Sequence, residues 1–131
     1  MKKKPLIAAC ALIWIGVSFL NTPQVSTQSH PKRVVRLAEL EIDPAQLEAY
    51  ETSLREEIET SIRVEPGVLT LYAVSVKGQR NQIRLFEMYA SPAAYQSHLQ
   101  SEHFKKYKTA TTSMVKSLQL IETEPLVLAT K

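Results

Sequence analysis

The chain has 131 residues, enough for one domain and too few for two sizeable cores. Hydrophobic residues supply 44% of it, sufficient for a buried interior and unlike a disordered tail. Sixteen Lys and Arg against 13 Asp and Glu give a charge of +3, but Lys2, Lys3 and Lys4 account for that excess, so the charge gives no reason to expect a nucleic-acid partner.

The first element is a targeting segment. Lys2–Lys4 precede a 15-residue apolar run from Leu6 to Leu20, and Asn21-Thr22-Pro23-Gln24 follows. These are the basic, apolar and polar parts of a secretory signal. Spanning a bilayer takes roughly 20 apolar residues, so the run is short for an anchor. The expected organisation is a signal over residues 1–29, cut after Thr27 or Ser29, and a domain over 30–131 that is periplasmic or secreted. An uncleaved membrane anchor is the alternative. The lone cysteine, Cys10, falls inside the signal, which excludes an internal disulfide and a cysteine-ligated zinc site.

Residues 33–42 alternate as a strand, with Val34, Ala38, Leu40 and Ile42 on one parity and Val35, Leu37, Glu39 and Glu41 on the other. Asp43-Pro44-Ala45-Gln46 then starts a helix, with Asp as cap and Pro at the first helical position. Leu47, Tyr50, Leu54, Ile58 and Ile62 form its apolar stripe. Glu48, Glu51, Glu56, Glu57 and Glu59 lie off the stripe and read as a solvated face. Pro66-Gly67 ends the helix. Val68–Val76 is a second strand, 77–81 a polar hairpin loop and Ile83–Tyr89 a third strand. Ser91-Pro92 opens a second helix, and Ser101 caps a further stretch carrying Phe104, Tyr107, Thr111, Met114 and Leu118. Residues 118–129 read as the last strand, interrupted at Pro125.

The order β-α-β-β-α-β belongs to the ferredoxin-like α+β sandwich, an antiparallel sheet with helices on one face. A domain of about 100 residues has nothing of its own to cover the other face. Pairing with a second copy, sheet against sheet, into a dimeric α+β barrel is the expected solution.

Three motifs stand in order on this frame: Glu65-Pro66-Gly67, Phe86-Glu87-Met88-Tyr89, and Ala94-Tyr95 followed by His98, Ser101, His103 and Phe104. They resemble the antibiotic-biosynthesis monooxygenase family, with its E-P-G turn, E-x-[YW] strand end and A-[FYW]-x-x-H-x-x-[ST]-x-H-[FM] helix. The resemblance covers roughly residues 33–128. It implies a cofactor-independent oxygenase acting on a small aromatic diol or quinol with O2, although the family and its relatives also include an isomerase and haem-degrading proteins. The Asn, Trp and His used by the haem-degrading relatives would fall at Leu37 or Ala38, His98 and Lys108, so that triad is not retained. There is no G-x-G-x-x-G, no P-loop and no room for a flavin domain.

His98 is the candidate base, because an imidazole can accept a phenolic proton near neutral pH. A histidine bonded to a backbone carbonyl at the helix end is the bland reading. Glu87, a carboxylate between apolar strand neighbours, is the second catalytic candidate, or else one half of a salt bridge to Arg36 or Arg84. Tyr72, Tyr89, Tyr95, Tyr107 and His103 are candidates for a substrate pocket between sheet and helices. His98 and His103 could share a metal, but no third ligand sits at a persuasive spacing, and no metal is expected. The competing functional reading is a non-catalytic exported dimer that binds a small hydrophobic ligand.

Overall fold

The computed structural model describes residues 32–127 and 129. The signal segment expected at residues 1–29 lies outside them. No described helix is long and apolar enough to cross a membrane.

Strand β1 (Val34–Ile42) leads through a short 3-10 turn, Pro44–Gln46, into helix α1 (Leu47–Val64). Asp43 caps this turn: its carboxylate accepts from the Ala45 N–H at 3.1 Å and from the Gln46 side chain at 3.3 Å. Strands β2 (Val68–Val76) and β3 (Gln79–Tyr89) form a hairpin whose turn is Lys77-Gly78. Gly78 has φ +80°, a backbone that L side chains rarely adopt. The turn is shorter than the expected loop, so β3 begins at Gln79 rather than Ile83. Helices α2 (Pro92–Gln100) and α3 (Glu102–Thr111) follow, capped by the hydroxyls of Ser91 and Ser101. A 3-10 turn at Thr112–Met114 precedes β4 (Val115–Thr123). The last strand thus starts before the expected Leu118, because Val115 already pairs with Ile42. It ends before Pro125, which has no N–H to give a ladder.

The sheet is antiparallel in the order β2-β3-β1-β4, the ferredoxin-like arrangement expected from the sequence. Its register sorts the side chains into rows. Ser75, Ile83, Leu40 and Leu118 form one row on the helix side, and Ala73, Leu85, Ala38 and Leu120 the next. The third row is Leu71, Glu87, Arg36 and Glu122, so Arg36 stands between two acidic residues on its neighbouring strands. Ala38, Leu40, Ile42 and Ile83 pack with Leu47, Tyr50 and Leu54 of α1 as the main core.

The interior face of α1 differs from the expected stripe. Leu47, Tyr50, Leu54, Glu57 and Ser61 are its buried residues, whereas Ile62 is 48% exposed. Glu57, expected on the solvated face, is a correction: it is 5% exposed and points inward. The spacing 47-50-54-57-61 alternates steps of three and four, which keeps those residues on one face.

The opposite sheet face carries no helix among the described residues. Tyr72, Phe86, Leu37 and Ile121 cross all four strands as one apolar row, with Tyr72 65% exposed.

Candidate active site

The E-P-G turn fixes how α2 sits on the sheet. A Cβ at Gly67 would meet the Ala94 Cβ at 2.5 Å, so the start of β2 and the first turn of α2 touch with no room for a side chain. The Gly67 carbonyl also accepts from the Ala90 N–H at 2.9 Å. That contact brings His98, on the last turn of α2, against Glu65 just before the glycine.

His98 is 2% exposed. Its Nδ1 lies 2.9 Å from Glu65 Oε1, and His103 Nε2 lies 2.6 Å from the same oxygen. On its other side His98 Nε2 faces Glu57 Oε1 at 3.7 Å, and the Ser61 hydroxyl donates to that oxygen at 2.7 Å. Ser101 donates to the His98 carbonyl at 2.8 Å while capping α3. The imidazole is therefore held by carboxylates, not by the backbone carbonyl of the bland reading. Tyr89 and Phe104 flank its ring, with centroids 5.3 and 4.7 Å away.

The carboxylates differ in their electrostatics. Burial raises the Glu57 pKa above the ordinary range, against the Ser61 hydrogen bond and the charge of the imidazoles. Burial also tends to raise Glu65, but the hydrogen bonds from His98 and His103 win and hold it below the usual value. Glu87 is raised, chiefly by burial, although the Tyr89 hydroxyl donates to its Oε2 at 3.1 Å and Arg36 adds a favourable charge. The Tyr89 phenol is pushed well up by burial and then by Glu87.

Arg36 joins this set to a cavity. Its side chain is 11% exposed, it donates to the Tyr95 hydroxyl, and its guanidinium lies 4.7 Å from the Tyr95 ring centroid. Glu122 approaches at 3.9 Å. The buried Nε has no hydrogen-bond partner among the described residues. Beside this side chain a cavity of about 320 Å³ opens between β1, β4 and α2, lined by Val34, Arg36, Pro92, Tyr95, Gln96 and Glu122. A recess of about 350 Å³ over α1 and β2 is slightly larger; Leu54, Ile58, Leu71, Ala73 and Ile83 line it together with Tyr72 and the charged Glu51, Arg55 and Glu59, and neither His98 nor Glu87 lines it. The cavity beside Arg36 is the one that the Arg36 guanidinium and the Tyr95 ring both line.

The expected site residues therefore separate into groups. His98 and His103 meet on Glu65, Glu87 accepts from Tyr89, the two pairs touch where the Tyr89 and His98 rings pack, and Tyr95 reaches from beside Tyr89 to the cavity. Tyr107 lies on the far side of Phe104, where its hydroxyl and that of Tyr50 are 2.7 Å apart in the main core. Tyr72 is on the helix-free face, because Leu71 and Ala73 take the inward positions of β2. Of the two salt-bridge partners considered for Glu87, Arg84 is on the opposite face and bonds Glu39 at 3.7 Å, while Arg36 is the cross-strand neighbour. Glu57, Ser61, Glu65 and Arg36 were absent from the expected site, although Glu65 opens the E-P-G motif. The alternating three- and four-residue spacing in α1 could have revealed the first two.

Comparison with known proteins fits this frame. The antibiotic biosynthesis monooxygenase family matches residues 33–110. A solved structure from Bacteroides thetaiotaomicron, named as a candidate antibiotic biosynthesis monooxygenase, is 50% identical with TM-score 0.74, over 76% of this chain and 95% of that one. A candidate monooxygenase from Lactobacillus acidophilus is 30% identical with TM-score 0.67, over 68% of this chain and 42% of that one. A Caulobacter crescentus structure, at 19% identity and TM-score 0.70 over 75% and 93% of the two chains, shares the fold. No curated protein matches the chain. With the matched span covering both the E-P-G turn and the histidine-bearing helices, the chain belongs to the antibiotic biosynthesis monooxygenase family.

Proposed function

We propose that the protein is a cofactor-independent monooxygenase that oxidises a small aromatic diol or quinol with O2. The observation that carries this reading is the buried Arg36 guanidinium at the edge of a 320 Å³ cavity, backed by Glu87 on the neighbouring strand. A phenol entering beside Tyr95 would place its oxygen near a fixed positive charge, which favours the phenolate. Glu87, raised by burial, is a stronger base than an ordinary carboxylate and takes the proton. His98 lies behind Tyr89 and holds the carboxylate network in place; in this reading it acts through Glu87 and Tyr89. The electron-rich phenolate then reduces oxygen directly. For a benzene diol the balance is diol plus O2 giving hydroxyquinone plus water: one oxygen atom enters the ring, the other leaves as water, and the substrate supplies all the electrons.

The apolar row Tyr72, Phe86, Leu37 and Ile121 supports a homodimer closed sheet against sheet, and the N-terminal apolar run supports export. One observation favours a non-catalytic ligand-binding module instead: neither His98 nor Glu87 lines the cavity beside Arg36 or the recess over α1 and β2. Oxygen consumption with a panel of hydroquinones separates the two readings. The enzyme consumes O2 in proportion to quinol, and Glu87→Gln slows it at least tenfold. No consumption across the panel, or equal rates for Glu87→Gln, would refute the catalytic reading.

A further inference from the structure

We propose that Glu57, His98 and His103 form a binding site for one divalent transition-metal ion, zinc being the best fit. One side chain comes from each of α1, α2 and α3, so an ion there would tie the three helices together. One ligand atom from each residue lies within 4.8 Å of the others, and His98 Nε2 is already 3.7 Å from Glu57 Oε1. Ligand atoms in a tetrahedral zinc site are roughly 3.3–3.6 Å apart, given bonds of about 2.0–2.2 Å, so closing on the ion needs shifts of about an ångström or less.

The surroundings match what such a site requires. Glu65 Oε1 faces one nitrogen of each ring, at 2.9 and 2.6 Å. A carboxylate that takes the N–H of an imidazole leaves the other nitrogen as a lone-pair donor and fixes the ring's orientation, the usual arrangement behind metal-bound histidine. Ser61 orients Glu57 in the same way from 2.7 Å. Charge points in the same direction: two carboxylates, Glu57 and Glu65, converge on these rings, and a divalent cation would offset both. Two imidazoles with one carboxylate suit zinc better than the harder magnesium or calcium ions. A recess of about 30 Å³ between α1 and α3 is lined by two of the three ligands, Glu57 and His103, together with Ser53, Glu56, Lys106 and Tyr107. His103, 19% exposed, is the group an ion would meet at that opening.

The test uses the untagged full chain, stripped with a chelator and titrated with zinc chloride in a calorimeter, with metal content counted after dialysis. One equivalent per chain is expected. His103→Ala and Glu57→Gln should each weaken binding at least tenfold, while His30→Ala, which removes the only other histidine, should leave it unchanged. Circular dichroism checks that the variants fold. Cobalt(II) on the wild-type chain gives a readout that needs no variant: intense visible bands of a four-coordinate nitrogen–oxygen site are expected. Absence of saturable zinc binding, binding that survives both ligand substitutions, or weak six-coordinate cobalt bands would each overturn the proposal. None of these measurements depends on quinol turnover, so the metal site and the oxygenase reading fail separately.

Discussion

Replacing Gly67 with alanine tests the contact that seats the histidine-bearing helix on the sheet. Gly67 does not have a positive φ, so its backbone by itself would accept alanine. In open space the exchange would even stabilise by about 0.4–1 kcal/mol, through the unfolded chain. The added Cβ, however, would stand 2.5 Å from the Ala94 Cβ and 3.5 Å from its Cα. Neither is the end of a flexible side chain, so α2 itself must shift. Overpacking of this kind costs about 1–3 kcal/mol. At roughly 4–8 °C per kcal/mol for a domain of this size, Tm should fall by about 5–20 °C. A thermal melt followed by circular dichroism reads the change. The cycle with Ala94→Gly isolates the cause: in that background Gly67→Ala should cost at least about 1 kcal/mol less. An unchanged or raised Tm, or an equal cost in both backgrounds, would refute the steric argument.

Three further outcomes follow from the same packing. Tyr107→Phe leaves the fully buried Tyr50 hydroxyl without its 2.7 Å partner and should cost about 1–3 kcal/mol, with the Tyr50→Phe double variant costing less than the sum, as denaturant melts would show. Glu87 has its folded pKa raised above 4.5, so its ionisation opposes folding: the stability present below about pH 4.5 is lost as pH rises through the folded pKa. Glu87→Gln should therefore melt higher than wild type at pH 8, and the gain should shrink as pH falls toward 4.5. Leu37→Asp, in the middle of the helix-free apolar row, should turn a micromolar dimer into a folded monomer in sedimentation velocity, and a wild type that is already monomeric would contradict the dimer.

Much of the fold was legible because its boundaries are written in local chemistry. Asp43-Pro44, Ser91-Pro92 and Ser101 each cap the turn or helix they were expected to open, and β2 has the expected bounds. The departures share a cause. Apolar residues on α1 and β2 fall on two faces, one against the core and one outside it. Ile58 does pack against the core, but Ile62 is exposed, and Glu57 and Ser61 take the interior as a hydrogen-bonded pair, with Glu57 facing His98 of α2. Both parities of β2 are apolar, so Tyr72 could be placed inward by pattern although it faces outward. At the site, His98 and Glu87 were visible as chemistry-bearing residues. Arg36 was one of two partners weighed for Glu87, and the register places it on the neighbouring strand; the carboxylates that meet His98 were not visible, since Glu65 and Glu57 lie 33 and 41 positions from it and only the fold brings them together.

The central claim is that Arg36 and Glu87 make the cavity beside Tyr95 a place where a phenol gives up its proton. A nitrophenol that resists oxidation reports this directly, since its phenolate absorbs in the visible and its neutral form does not. At a pH below the free ligand's pKa, adding protein should generate the phenolate band in proportion to bound ligand, and Arg36→Met should abolish the band. A ligand that binds with the neutral spectrum, or a band that Arg36→Met leaves intact, would contradict the account.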